Sequence, residues 1–325
     1  MIHGDTRRAA LEHWLRNELR GASFRLTPAS EDASFRRYFR AALDDGTTRI
    51  AMDAPPEKED SRPFVRVARM LDEAGVHAPK VLAHDLEQGF LMLSDLGTRT
   101  YLDELSAHNA AALFADATDA LIRWQLATRP GELPPYDEAL LRRELNLFPE
   151  WYVGKHLRKE LSPAQKQTLE AVFAALVRSA LAQPSVFVHR DYMPRNLMVS
   201  EPNPGVLDFQ DAVLGPITYD IVSLMRDAFV SWEEERVLDW TVRYWEKAKR
   251  TDLPVAADFG EFWRAFEWMG LQRHLKVLGI FARINYRDGK PKYLGDTPRF
   301  IGYARSVAKR YRDLAPLVRL LDELE

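Results

Sequence analysis

The chain has 325 residues, 46% hydrophobic and 29% charged, a balance that excludes a disordered protein and allows a substantial core. Lys and Arg number 45 against 48 Asp and Glu, a net charge of -3, so no global basic excess exists to hold nucleic acid or an anionic membrane. With Cys at 0, a disulfide framework, a thiolate metal site and a cysteine nucleophile are excluded too.

The opening Met1-Ile2-His3-Gly4-Asp5 leads into a charged amphipathic stretch without the apolar run of a secretory signal. No later segment approaches the roughly eighteen unbroken apolar residues of a membrane span, so a soluble, cytoplasmic protein with no membrane partner is expected. Leu11, Trp14, Leu15 and Leu19 recur at helical spacing and predict a helix over residues 6–20. Ser23–Leu26, Phe35–Leu43 and Arg49–Asp53 read as short strands, the last two joined by the turn Asp44-Asp45-Gly46. A charged loop at Pro55–Asp60 precedes a helix over Pro63–Ala74, which Gly75 stops. Lys80–Asp85 and Gly89–Ser94 predict two more strands, and one helix packed on a small, mostly antiparallel sheet makes an α+β lobe. Beyond residues 94–98 the pattern turns mostly helical, which divides the chain into 1–95 and 96–325. Helices are expected over Ala110–Ala127, Glu138–Trp151 and, from the capping box Ser162-Pro163-Ala164-Gln165, to Leu181. Short apolar runs at Val186–Val188, Leu197–Val199 and Val206–Leu207 interrupt them, and helices return from Asp220.

Chemistry concentrates in His189-Arg190-Asp191, Asn196 and Asp208-Phe209. A hairpin between Asn196 and Asp208 brings both side chains to one edge. An aspartate that takes a hydroxyl proton, followed by an amide and a carboxylate as hard oxygen ligands for Mg2+, suits phosphoryl transfer. The order His-Arg-Asp, four residues, Asn, then Asp-Phe is that of the protein-kinase catalytic loop and metal motif. Each residue alone also reads as a strand cap or turn residue; the ordered set does not. A protein kinase is disfavoured: no Gly-x-Gly-x-x-Gly loop precedes the strands and no Ala-Pro-Glu follows. The interval from Asp208 to Tyr219-Asp220 also leaves little room for a peptide-binding loop.

On His189, Asp191, Asn196, Asp208 and Asp220 the sequence resembles the aminoglycoside phosphotransferase/choline kinase superfamily. Longer stretches resemble its bacterial N-acetylmuramate/N-acetylglucosamine anomeric kinases of cell-wall recycling. These are Ala33–Arg40, Met52–Glu57, Leu207–Ala212, Tyr219–Leu224 and Gly270–Lys276. The resemblance implies a bilobal protein-kinase-like fold, with 1–95 binding nucleotide and 96–325 carrying catalysis and substrate. It also implies ATP and Mg2+ as cofactors, and phosphorylation of the C1 hydroxyl of a small amino sugar in peptidoglycan recycling. Two alternatives are another small-molecule hydroxyl kinase, of aminoglycoside or choline type, and a pseudokinase used as a binding module. Neither nucleic acid nor an obligate protein partner is called for.

In that frame Asp191 is the catalytic residue, Asn196 and Asp208 hold the metal, and His189 and Asp220 support the loop. Asp211 is a partner of the metal site or a surface acid. No lysine stands in the Arg49–Asp53 strand, where Met52 takes its expected place. Ser34, Arg37 and the linker residue Asp95 are the expected nucleotide contacts. Arg36 and Arg40 share the strand face opposite Arg37, so only one set faces the nucleotide. For the sugar the expected contacts are Glu144, Glu150, Arg195 and Arg273, the last lying in a basic cluster with His274 and Lys276 that suits a lactyl carboxylate. Solvated helix faces are the competing reading of those charges.

Overall fold

The computed structural model describes residues 5–30 and 35–324. The chain forms two compact units, Met1–Leu105 with Arg195–Asp211, and Ser106–Pro194 with Ala212–Glu325. The segment 195–211 thus groups with the sheet-bearing unit, where a single cut at 95 would have placed it in the other.

In the first unit, α1 (Thr6–Glu18) is capped by Asp5, whose side chain accepts the Arg8 N–H. Five strands follow, β1 (Phe24–Ser30), β2 (Arg37–Leu43), β3 (Thr48–Asp53), β4 (Val81–Asp85) and β5 (Phe90–Ser94), with α2 (Arg62–Glu73) between the third and fourth. They pair antiparallel in the order β1-β2-β3-β5-β4. Leu11, Trp14 and Leu15 of α1 pack on Leu26, Phe39, Ala41, Ala51, Phe90 and Met92 of the sheet. A buried leucine there removes apolar surface from water at roughly 25 cal/mol per Å², about 2 kcal/mol per side chain. Arg7 clamps the helix further by donating to the fully buried Asp53 at 2.8 Å and 2.5 Å. Gly89, at φ 74°, is required: a Cβ there would lie 1.9 Å from the Ala54 carbonyl oxygen. A short helix α3 (Tyr101–Glu104) and a two-residue ribbon, Leu197–Met198 paired with Gly205–Val206, complete the unit.

The second unit is built of α4 (Ala110–Leu126), α5 (Glu138–Leu145), α6 (Pro163–Leu181), β6 (Ser185–Val188), β7 (Val213–Pro216), α7 (Tyr219–Met225), α8 (Glu234–Arg250), α9 (Phe259–Asp288), α10 (Thr297–Arg310) and α11 (Ala315–Leu324). Ser162 and Gln165 form the reciprocal capping box expected of α6. The helix expected over Glu138–Trp151 instead ends at Leu145, and Phe148–His156 winds as a π-helix. Pro149 has no N–H to give the Leu145 carbonyl, which breaks the α-helical ladder there. Sequence reading also missed β7, where Gly215 and Pro216 pair with Val186 and Ser185. Gly215 tolerates no side chain, since a Cβ would sit 2.8 Å from the Tyr136 Cβ.

Candidate active site

The first unit encloses a cavity of about 300 Å³. Alternation along β2 turns Tyr38 and Arg40 into it, with Ile50 and Leu93 beside them and the linker Ser94–Thr98 along one wall. Arg40 donates to Asp95 at 2.5 Å and 3.0 Å and to the Gly97 carbonyl at 2.8 Å, while Gly97 N–H returns a 2.9 Å bond to Asp95. Burial works to raise the Asp95 carboxyl, but the Arg40 bonds and the Gly97 N–H hold it below its ordinary value. The linker is therefore a braced turn.

Asn196, Asp208, Arg195 and Met198 line the same cavity. The ribbon brings the first two together: Leu207 N–H bonds the Asn196 carbonyl at 2.9 Å, and Asn196 Nδ2 donates to Asp208 Oδ2 at 3.3 Å. Gln210 Nε2 donates to Asp208 Oδ1 at 2.8 Å, a contact that sequence reasoning missed. Asp208 is held at φ 63°, a conformation that costs a non-glycine residue on the order of 1–3 kcal/mol. Phe209, packed on Phe64 with centroids 4.7 Å apart, anchors it to α2. The amide and carboxylate oxygens of this pair fit Mg2+, which takes one or two protein oxygens and leaves its other positions to phosphate and water. Among the described residues no group of three His, Asp or Glu forms a dedicated metal cage.

Met52 is fully buried, so the lysine of a kinase strand is replaced by an apolar side chain, and the cations on the cavity wall are Arg40 and Arg195. This corrects the expectation for Arg37. It lies on the opposite strand face, where Asp53 holds its guanidinium at 3.0 Å and 2.5 Å and Asp5 adds a further pair. Ser34 lies outside the described residues. Arg195, expected at the sugar, lines the cavity of Asn196 and Asp208 instead.

In the second unit the loop His189-Arg190-Asp191 is gripped from several sides. The fully buried Asp220 accepts His189 N–H at 2.6 Å and Arg190 N–H at 3.0 Å. Burial pushes its carboxyl up to about 7 against those two donors and Arg273. His189 Nδ1 accepts the Asp191 N–H at 3.2 Å, which assigns the ring proton to Nε2. Arg190 adopts φ 77°, and Arg273 donates to its carbonyl at 2.9 Å. The Arg190 guanidinium meets Glu144 Oε1 at 2.6 Å, and Lys276 Nζ reaches the same oxygen at 3.0 Å. Tyr136 O–H donates to the other oxygen. Burial opposes ionisation of Glu144, but Lys276 and Arg190 bring its carboxyl down to about 2.

Two sugar expectations change accordingly. Arg273 is buried, with its guanidinium over the Tyr219 ring at 4.8 Å and on the Arg190 carbonyl, so it is not presented to a lactyl carboxylate. Glu144 is equally buried, whereas Glu150 is exposed on the π-helix, outside this network. Asp211 is exposed as well. A more open groove of about 460 Å³ elsewhere on this unit, bordered by Arg178, Gln183 and Arg264, gathers no comparable set of carboxylates and amides.

Known proteins are similar to this chain in sequence and in fold. An N-acetylmuramate/N-acetylglucosamine kinase of Pseudomonas putida is 58% identical over 92% of this chain and 88% of its own length. The protein of that name from Neisseria meningitidis is 51% identical over 98% of this chain and 96% of its own length. Among solved structures, choline kinase from Cryptosporidium parvum superposes with a TM-score of 0.61 at 11% identity, covering 92% of this chain and 93% of that one. The aminoglycoside phosphotransferase APH(2")-IIa, in a ternary complex with streptomycin and ATP, also gives 0.61, at 16% identity and 92% and 97% coverage. These two share the protein-kinase-like fold. The phosphotransferase enzyme family itself is matched over residues 25–259, the span that holds the cavity, the ribbon and the gripped loop, and this chain belongs to that family.

Proposed function

We propose that the protein is an ATP-dependent sugar kinase that phosphorylates the anomeric hydroxyl of N-acetylmuramate and N-acetylglucosamine. The observation that carries the substrate is the 51% identity running through 98% of the chain to a kinase named for those two sugars. Asp191 accepts the proton of the attacking hydroxyl, the role its rigid backbone setting supports. Asn196 and Asp208 hold magnesium, which when bound neutralises charge on the phosphate oxygens. The braced linker at Asp95–Gly97 receives the base through its backbone, and Arg40 and Arg195 supply positive charge to the nucleotide. Among the described residues no helix is long and apolar enough to cross a membrane.

The test is phosphorus NMR of the product formed from ATP, Mg2+ and N-acetylmuramate. The phosphate should couple to the anomeric proton, and the product should be acid-labile and lack a reducing end. N-acetylglucosamine should react too, whereas a sugar without the 2-acetamido group should react poorly, because buried groups built to bond that amide would be left unpaired. Phosphate on C6, or transfer only to amino alcohols, would overturn the reading.

A further inference from the structure

Arg190, immediately ahead of Asp191, is held at its backbone N–H, at its carbonyl and at one end of its guanidinium. Asp220 takes its N–H, Arg273 its carbonyl, and Glu144 its guanidinium. It is held at φ 77°, a conformation an arginine keeps only when the surroundings over-determine it. Glu144 is the hub on the side-chain side. Lys276 shares its Oε1 with Arg190 and also donates to Tyr219 at 2.9 Å, and Tyr136 covers its Oε2. The cluster sets the cations Arg190, Arg273 and Lys276 among the carboxyls of Glu144, Asp220 and Asp191, with Glu144 the one that meets the Arg190 guanidinium directly. A buried arginine left without an anion is strongly destabilised, and here the anion comes from within the chain, so the loop needs no added phosphate or bound ligand to keep its shape.

Resting on the sugar-kinase reading for its reaction, we propose that Glu144, with Lys276 as its second cation, is a positioning residue that holds Arg190 and through it the Asp191 carboxylate, and is not a ligand of the sugar.

The test uses the full chain with Glu144→Gln, Arg190→Met and the double variant. With magnesium-ATP and either sugar, each single variant should lose on the order of tenfold to a hundredfold in kcat, with sugar KM within about threefold of wild type. The double variant should be no slower than the worse single one, since both break one contact. Amide exchange across residues 188–192, measured without substrate, should quicken by at least about tenfold in each single variant. A sugar KM raised more than about tenfold at unchanged kcat would make Glu144 a sugar ligand and overturn the proposal. Losses that multiply in the double variant, or loop exchange that stays at the wild-type rate, would overturn it equally. If Glu144→Gln fails to fold, Glu144→Gln with Lys276→Met removes one charge of each sign and is read the same way. Should wild type phosphorylate neither sugar, the function reading falls, while the exchange measurement still decides the network.

Discussion

At the scale of single residues, the site divides its labour by chemistry. Asp191→Asn keeps the loop's shape and removes the proton acceptor, so turnover should fall by roughly a hundredfold or more with nucleotide binding kept. Because an anomeric hydroxyl is more acidic than an ordinary alcohol, the loss should sit at the low end of that range; steady-state kinetics with N-acetylmuramate reads it. Asp208→Ala should abolish magnesium-dependent turnover, and Asn196→Ala should be milder, since a neutral amide gives a cation less than a carboxylate does. A reversed order would overturn this division of metal roles. At the linker, Arg40→Met should raise the nucleotide KM by freeing Asp95 and Gly97, whereas Arg37→Met should act through stability, because its partners Asp53 and Asp5 lie away from the cavity. The sequence made His189, Asp191, Asn196, Asp208 and Asp220 visible because their order along the chain is itself the signal. It left the strand face undecided: alternation says that Arg37 and Arg40 part company, but only the pairing of Arg40 with Asp95, 55 residues away, says which one faces the cavity. Glu144 and Arg273 were visible as charges but not as buried ones, since a helix-borne charge carries no mark of whether it is buried.

The elements show where local signals stop sufficing. Capping boxes, glycine stops and periodicity located α1, α2, α4 and α6, whose ends are set by neighbouring residues. The π-helix after α5 depends on Pro149 and on what it packs against: Gly279 of α9 lets the Leu147 backbone approach so closely that a Cβ would lie 2.3 Å from its carbonyl carbon and 2.4 Å from the oxygen. Gly279→Ala gains about 1 kcal/mol of helix propensity. The clash is with backbone, which cannot rotate away, so its cost falls at the upper end of about 1–3 kcal/mol and the melting temperature should fall. An unchanged or higher Tm would show that the contact yields easily. The Glu144 network also predicts a pH dependence. Its folded-state carboxyl is depressed from 4.5 to about 2, so its contribution is present above about pH 4.5 and lost as pH falls through about 2. At roughly 1.4 kcal/mol per unit this amounts to about 3 kcal/mol. Glu144→Gln should therefore flatten the acid limb of stability between pH 4.5 and 2, measured by urea unfolding at each pH.

At the scale of the whole molecule, the chain passes between its two units after Leu105, after Pro194 and after Asp211, so the sheet-bearing unit is not a continuous piece of sequence. What the returning segment brings is structural as well as chemical. Phe209 packs on Phe64, Val206 N–H bonds the His77 carbonyl at 2.7 Å, Val199 N–H bonds the Arg99 carbonyl at 2.9 Å, and Asn203 donates to the buried Tyr101 hydroxyl at 2.8 Å. A fragment ending at Leu105 lacks all four contacts, together with the Asn196 and Asp208 side of the cavity. It exposes Phe64 and strands a buried hydroxyl, each worth on the order of 1–3 kcal/mol against a total of only 5–15 for a small domain. Such a fragment should melt without a cooperative transition and bind no magnesium-ATP. Joining residues 195–211 to it through a short flexible linker should restore a cooperative melt, because closing such a loop costs far less than the contacts return. Every lining residue of the cavity is then present, so the joined fragment should be stabilised by magnesium-ATP, by about 2.7 kcal/mol at a hundredfold excess over Kd. Thermal melts with and without nucleotide compare the two. Nucleotide stabilisation of the shorter fragment would mean that Asn196 and Asp208 are dispensable for binding and would move the metal elsewhere.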